Sequence, residues 1–208
     1  MPEFSQIIIS TAYFPPVQYF AALLKYENVL IEKHENYLKQ TYRNRCEILS
    51  PNGKQTLSIP IIKKSGTKQL ISDVKIDYKN NWQLQHLKSL QTAYLSSPFY
   101  EFYIDAFMPF FEKKHTFLFD FNLEIIYTLL SELQIEKELN FTEKYIKQYP
   151  YGDYRNLIHP KKTTSETFTE YKPKKYTQVF FDKFDFIPDL SILDLLFNEG
   201  PSSISFLI

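Results

Sequence analysis

The chain has 208 residues, 44% apolar and 23% charged, with Lys+Arg and Asp+Glu both at 24. That length and balance fit one domain spanning residues 1–208 and exclude a disordered chain. They also exclude the basic footprint of a general nucleic-acid binder.

The four glycines, Gly53, Gly66, Gly152 and Gly200, are widely spaced. A phosphate loop needs clustered glycines so that the backbone can approach an anion, so G-x-G-x-x-G, G-x-x-x-x-G-K-[ST] and G-x-S-x-G elements are absent. Cys46 is the only cysteine, which leaves no disulfide framework and no Cys-rich zinc site. No basic stretch precedes the first apolar run, and no run approaches ~18 apolar residues. A cytoplasmic protein without signal peptide or membrane span is the expectation.

Residues 6–10 read as a buried strand, a β-branched run with polar flanks. Pro15-Pro16 interrupts it, and a helix is expected over 17–26. Residues 28–31 form a second apolar strand, which completes a βαβ outline. Residues 45–49 and 56–62 flank Ser50-Pro51-Asn52-Gly53, a hairpin signal. A further alternating strand is expected over 70–77. The period then becomes helical: 82–96, a second helix to about 114 capped by Ser97-Pro98, and a third over 118–133. Residues 149–175 are polar and rich in Tyr, Lys and Thr, and read as a flexible excursion or lid. A strand over 178–181 and a helix over 190–197, stopped at Gly200, end the chain. The expected class is α/β: a strand–loop–helix–strand and a hairpin sheet, then a mostly helical half and a buried C-terminal helix.

Several residues have side chains suited to chemistry. On the last helix, Ser191, Asp194 and Asn198 share a sector about 60° wide on an otherwise apolar surface. They either line a pocket or cap the helix, with Glu199 beside them. Residues 34–45, HENYLKQTYRNR, concentrate an imidazole, a carboxylate, cations and phenols. If the backbone is extended from Tyr42, Arg43 and Arg45 share a face and suit an anion, with Lys39 nearby. The alternative is a solvated face where Arg45 pairs with Glu47. His34 follows the second strand, where α/β sites open, and is a candidate general base. Trp82 and His86 lie at i, i+4, opposite a stripe of Leu84, Leu87 and Leu95. They need a second contact, either a ligand or another core layer. The histidines have no metal-ligand spacing, and no cofactor is indicated. Most of the aromatic excess falls in 99–121 at helical spacing and reads as core. Tyr37, Tyr42, Trp82 and the tyrosines of 149–175 lie beside the polar candidates.

Four blocks carry a family resemblance: IIISTAYFPPVQYFAALLKYENVLIEKHENY at 7–37, KQTYRNRCEILSPNGKQTLSIPI at 39–61, IDYKNNWQLQHLKSLQTAYLSSPFYEFY at 76–103 and YTQVFFDKFDFIPDLSILDLLFNEGP at 176–201. With its N-R-x-x-I-x-x-x-x-G hairpin, W-x-x-x-H helix and L-S-I-x-D-L-L-F-N-x-G ending, the chain resembles the WbqC-like protein family, particularly its shorter Bacteroidetes members. Longer members carry a His- or Gln-Pro pair where Ser10-Thr11 stand here, and an Asp pair at Lys33-His34. The resemblance implies a role in O-antigen or other surface-polysaccharide synthesis, transferring glycine or another small group to a sugar.

The combined expectation is a transferase for an anionic sugar or sugar nucleotide. His34, His86 and Asp194 would be catalytic. Lys39, Tyr42, Arg43, Asn44, Arg45, Trp82, Asn198 and Glu199 would bind substrate. A non-catalytic binding or assembly protein, or a ligand sensor, is the alternative.

Overall fold

Ile7, Ile8 and Ile9 are buried at every position, as expected of a strand covered on both faces. They form β1 (Gln6–Ser10), which pairs in parallel with β2 (Asn28–Glu32), Ile8 opposite Leu30. The helix α1 (Val17–Lys25) makes the crossover between them. The computed structural model describes residues 5–63, 68–161 and 171–208.

The hairpin is present as β3 (Arg45–Ser50) and β4 (Gly53–Ser58), with Ser50 opposite Gly53. Gly53 takes φ 99°, a conformation that side chains with a Cβ rarely adopt. The helices α2 (Trp82–Tyr94), α3 (Tyr100–Glu112) and α4 (Leu118–Glu132) follow. Two short strands, β5 (Leu139–Phe141) and β6 (Gly152–Asp153), then join the main sheet. Its order is β5-β2-β1-β6, and every pairing is parallel. The chain ends with α5 (Ile192–Glu199) and α6 (Ile204–Leu207).

Parallel register places the C-terminal ends of all four strands at one edge. β6 reaches its place because residue 152 is glycine. A Cβ there would lie 2.7 Å from Ile7 Cγ2 and 2.9 Å from the Tyr154 ring. Ile192, Leu193, Leu195, Leu196 and Phe197 of α5 are wholly buried. Each contributes roughly 1.5–3 kcal/mol of transfer free energy, an upper estimate. Phe197 packs edge-on against Tyr100 and Phe107, tying α5 to α3.

Several expectations need correction. Residues 70–77 are not a strand. Residues 71–73 form a 3-10 turn, and only isolated bridges flank it. The break falls at Ser72-Asp73, where alternation already slipped. Ser97 does not cap α3: its Oγ donates to the Tyr94 carbonyl, closing α2 instead. Residues 178–181 are not a strand, because the Gln178 side chain holds the Ile187 backbone at both its N–H and its carbonyl. On α2 the Leu stripe is largely outward, with Leu84 and Leu95 exposed and Leu87 half-buried against the core, while Trp82, His86, Leu90 and Ala93 face inward. The shared strand face for Arg43 and Arg45 fails, since Tyr42–Asn44 is a 3-10 turn and β3 begins at Arg45. Glu47 pairs with Lys54 at 2.8 Å, not with Arg45. The segment read as a polar excursion supplies β6 and the buried Tyr154, Arg155 and Ile158. Its residues 162–170 lie outside the described residues.

Candidate functional site

In parallel α/β sheets, ligands approach the carboxyl ends of the strands. Here those ends hold a closed network of charge. Glu32, the last residue of β2, is fully buried. Its Oε1 accepts from the His34 N–H at 2.8 Å and from Thr142 Oγ1, just past β5, at 2.8 Å. Its Oε2 accepts from Arg155 Nη1 at 3.0 Å. Arg155 also grips Asp153, the last residue of β6, through Nε at 2.9 Å and Nη2 at 2.5 Å. Those bonds, with the nearby carboxylate charges, push the Arg155 pKa up.

A second fork lies beside the first. Arg43 donates from Nε to Glu35 Oε1 at 2.7 Å and from Nη2 to Glu35 Oε2 at 2.5 Å. The same Nη2 reaches Ser10 Oγ, at the end of β1, at 2.7 Å, and the Arg155 carbonyl at 3.2 Å. Tyr19 Oη donates to the Ser10 carbonyl at 3.0 Å. From α4, Asn122 Nδ2 donates to the Arg43 carbonyl at 2.7 Å, fixing the turn that carries this arginine. Buried guanidiniums and carboxylates persist only when paired and hydrogen-bonded. These are: side-chain exposure is 3% for Arg43, 6% for Glu35, 4% for Arg155 and 0% for Glu32.

The network backs a polar cleft of about 220 Å³. Its walls include Glu35, Asn36, Tyr37, Tyr145, Arg155 and Asn156, with Lys68 at the side. The backbone explains this grouping. Tyr37 N–H donates to the Gln69 carbonyl at 2.8 Å, and Ile71 N–H to the Glu35 carbonyl at 2.9 Å. These bonds bring 68–71 beside 35–37. Tyr145 packs its ring on Arg155, 5.2 Å from the guanidinium carbon, and is half-exposed. Burial raises the Tyr37 pKa, and the charges of Arg45 and Arg43 partly offset this. A small space of about 10 Å³, the scale of one water, lies between Ser10, Tyr42, Arg43 and Arg155. A wider groove of about 430 Å³ between α1 and α6 has walls of Ala21, Leu24 and Leu207, with Lys25, Lys172 and Lys174 around it. Among the described residues its polar lining is the part-buried Tyr171 and exposed lysines with no carboxylate, so it lacks the convergent groups of a specific polar site.

The candidates read from sequence divide among three places. His34, Tyr42 and Arg43 come to the sheet edge, His34 half-buried and the other two buried. Lys39 is exposed. Asn44 is buried and clamps the chain after β4, its Nδ2 donating to the Ile59 carbonyl at 2.8 Å. Arg45 is half-buried, and its Nε has no hydrogen-bond acceptor among the described residues.

Trp82 and His86 lie in a sealed aromatic layer. Trp82 packs edge-on against Tyr13 and Phe121. His86 Nδ1 is 2.9 Å from Tyr13 Oη. Burial pushes the His86 pKa down to about 4, against a smaller opposing effect of the Ser58 carbonyl. The imidazole is therefore neutral at pH 7.

Asp194 belongs to a third cluster. It is fully buried, and its Oδ2 accepts from Tyr176 Oη at 2.6 Å and Gln178 Nε2 at 2.9 Å. Burial raises its pKa, and these donors work the other way. Asn198 Nδ2 donates to the Asp194 carbonyl at 2.7 Å. Ser191 caps α5 by accepting from the Leu193 N–H at 3.3 Å. Glu199, the last residue of α5, is half-buried. This polar stripe fastens the 176–190 coil to α5.

Sequence reasoning missed Ser10, Glu32, Glu35, Asp153 and Arg155 as one unit. A signal existed: Asp153 and Arg155 stand two apart, the spacing of one face of an extended chain, and Glu32 ends a strand. The two-residue β6 is too short for periodicity to reveal.

A model of the WbqC-like protein family matches residues 11–165 and 160–206. The chain is 24% identical over 222 aligned positions to "Uncharacterized protein Rv1507c" of Mycobacterium tuberculosis, covering 96% of each. No solved structure matches it. No helix among the described residues is long and apolar enough to cross a membrane.

Proposed function

The chain belongs to the WbqC-like protein family, and from that premise we propose a cytoplasmic transferase acting on a sugar or sugar nucleotide in surface-polysaccharide synthesis. The group moved is an amino-acyl or other small group. One observation carries this reading: four parallel strands bring Ser10, Glu32, Thr142 and the Asp153–Arg155 pair to one edge, against a polar cleft. In this reading the cleft holds the sugar, and the arginine–carboxylate network keeps its walls rigid. His34 is the base at the edge, since His86 and Asp194 are sealed elsewhere.

The test is a binding and turnover experiment. The intact protein is titrated calorimetrically with uridine-, guanosine- and thymidine-diphosphate sugars, then incubated with the one that binds and a panel of amino-acyl donors. Saturable binding and a product of higher mass support the reading. Absence of binding to every sugar nucleotide contradicts it. A second reading, a binding protein or ligand sensor, is favoured by one feature. Among the described residues, the one carboxylate lining the cleft, Glu35, is already committed to Arg43. Saturable binding without any product selects that reading.

A further inference from the structure

Resting on the sugar-directed reading, we propose that the cleft recognises an uncharged glycosyl ring. Any phosphate or nucleotide attached to that ring stays outside the arginine network, on the side of Lys68. Three observations lead there.

The first is the state of the arginines. A phosphate is gripped best by a guanidinium fork with two free donors. Both forks here are occupied. Arg43 spends Nε and Nη2 on Glu35, and Arg155 spends Nε, Nη1 and Nη2 on Asp153 and Glu32. Seating a phosphate on either would break a buried ion pair and leave a carboxylate facing the anion, which is strongly unfavourable. Across the network and cleft, Glu32, Glu35 and Asp153 balance Arg43, Arg155 and Lys68. The paired network therefore presents no net positive charge to a dianion, and Arg45, whose charge reaches Tyr37, stands outside it.

The second is size. At about 220 Å³ the cleft is smaller than the ~300–1,000 Å³ usual for drug-sized ligands. It suits a single ring and excludes a whole sugar nucleotide.

The third is wall chemistry. A sugar ring offers hydroxyls around its rim and C–H bonds on its faces. Planar amides donate and accept in one plane, which suits adjacent hydroxyls. Asn36 and Asn156 supply them, both exposed at the cleft. Aromatic rings supply flat apolar faces for the C–H bonds. Tyr37 and the half-exposed Tyr145 provide these, the latter backed by Arg155. Lys68, exposed and outside both forks, is the lining cation left to meet an anion.

The experiment uses the full chain with four probes: UDP-glucose, UDP-N-acetylglucosamine, methyl N-acetylglucosaminide and UDP alone. Affinities are measured by calorimetry, and saturation-transfer NMR reports which ligand protons touch the protein. The expected result is that a UDP-sugar binds at least tenfold more tightly than UDP, with the sugar-ring protons most saturated. Tyr145→Ala should weaken the UDP-sugar tenfold or more and UDP less than twofold, with Tyr145→Phe close to wild type. Asn36→Ala, at an exposed position, provides a second variant should Tyr145→Ala fail to fold. UDP within tenfold of the UDP-sugar, or uridine protons dominating the saturation, overturns the proposal and leaves the transferase reading standing. No binding by any of the probes overturns the proposal, and the transferase reading falls with it once guanosine- and thymidine-diphosphate sugars also fail to bind.

Discussion

Two buried polar regions of this protein solve the same problem in opposite ways. At the carboxyl edge of the parallel sheet, charge is matched by charge: Arg43 with Glu35, and Arg155 with Glu32 and Asp153. Around Trp82 and His86, the polar groups are uncharged or made so, and aromatic rings close over them. The first region opens onto a polar cleft, and the second opens onto nothing among the described residues. Burying matched ions is expensive and gains little over apolar packing. A protein of this size that keeps two such forks beside a cleft is using them to hold geometry. The aromatic layer buries no ion pair and is held by ring packing and the Tyr13–His86 hydrogen bond.

That contrast can be broken by mutation, and the largest effect belongs to the edge. Arg155→Met leaves the wholly buried Glu32 carboxylate without its guanidinium. The expected loss is ~3–5 kcal/mol in urea unfolding. The double variant Glu32→Gln with Arg155→Met should recover part of it. A loss below about 1 kcal/mol would place these ions in solvent and dissolve the distinction.

The aromatic layer should instead respond to acid. The His86 pKa is about 4 in the folded chain against an ordinary 6.5. Between those values the unfolded chain binds more protons, so stability falls as pH drops, by up to ~3 kcal/mol. His86→Phe should flatten this acid limb in a series of thermal melts. If the limb is unchanged, the buried imidazole is not its source.

Gly152→Ala tests how the edge is assembled. The added methyl meets Ile7 and Tyr154 below 3 Å, so ~1–3 kcal/mol of stability should be lost through overpacking. Faster hydrogen exchange should be confined to β1 and residues 152–158. Uniform change across the helices would argue that β6 does not anchor the network.

A smaller effect runs with the opposite sign in pH. Asp189 sits partly buried beside the α1 N-terminus, with φ 58°, and burial raises its pKa to about 7 from 3.8. Between these values the folded chain binds more protons, so stability falls as pH rises. Partial exposure and screening limit this to ~1–2 kcal/mol. Asp189→Asn should abolish the decline, and persistence of the slope would assign it elsewhere.

The contrast also explains what could be read in advance. The βαβ opening, the hairpin and the three long helices were legible because each has enough residues to display its period. β6 has two residues and β5 three, and only pairing with β1 and β2 makes them strands. With β6 hidden, Asp153 and Arg155 looked like loop residues, and Glu32 and Glu35 had no visible partners. Arg43 stands out in the sequence as a candidate, but its pairing with Glu35 does not. Its partner is Glu35, eight positions earlier, brought near by a turn that strand periodicity does not describe. His86 and Asp194 were visible as polar groups on apolar helices. Their tethers to Tyr13, Tyr176 and Gln178 are tertiary, so spacing alone could not separate a pocket wall from a core bond.

The ligand site proposed for this protein is the cleft at the sheet edge. The most direct measurement compares sugar-nucleotide affinity, by calorimetry, between Tyr145→Ala and Tyr176→Phe. The first alters the cleft wall, and the second removes a hydrogen bond to buried Asp194. A loss of tenfold or more is expected for Tyr145→Ala and less than twofold for folded Tyr176→Phe. Undiminished affinity in Tyr145→Ala, with a marked loss in Tyr176→Phe, would contradict it and move the site to the α5 cluster.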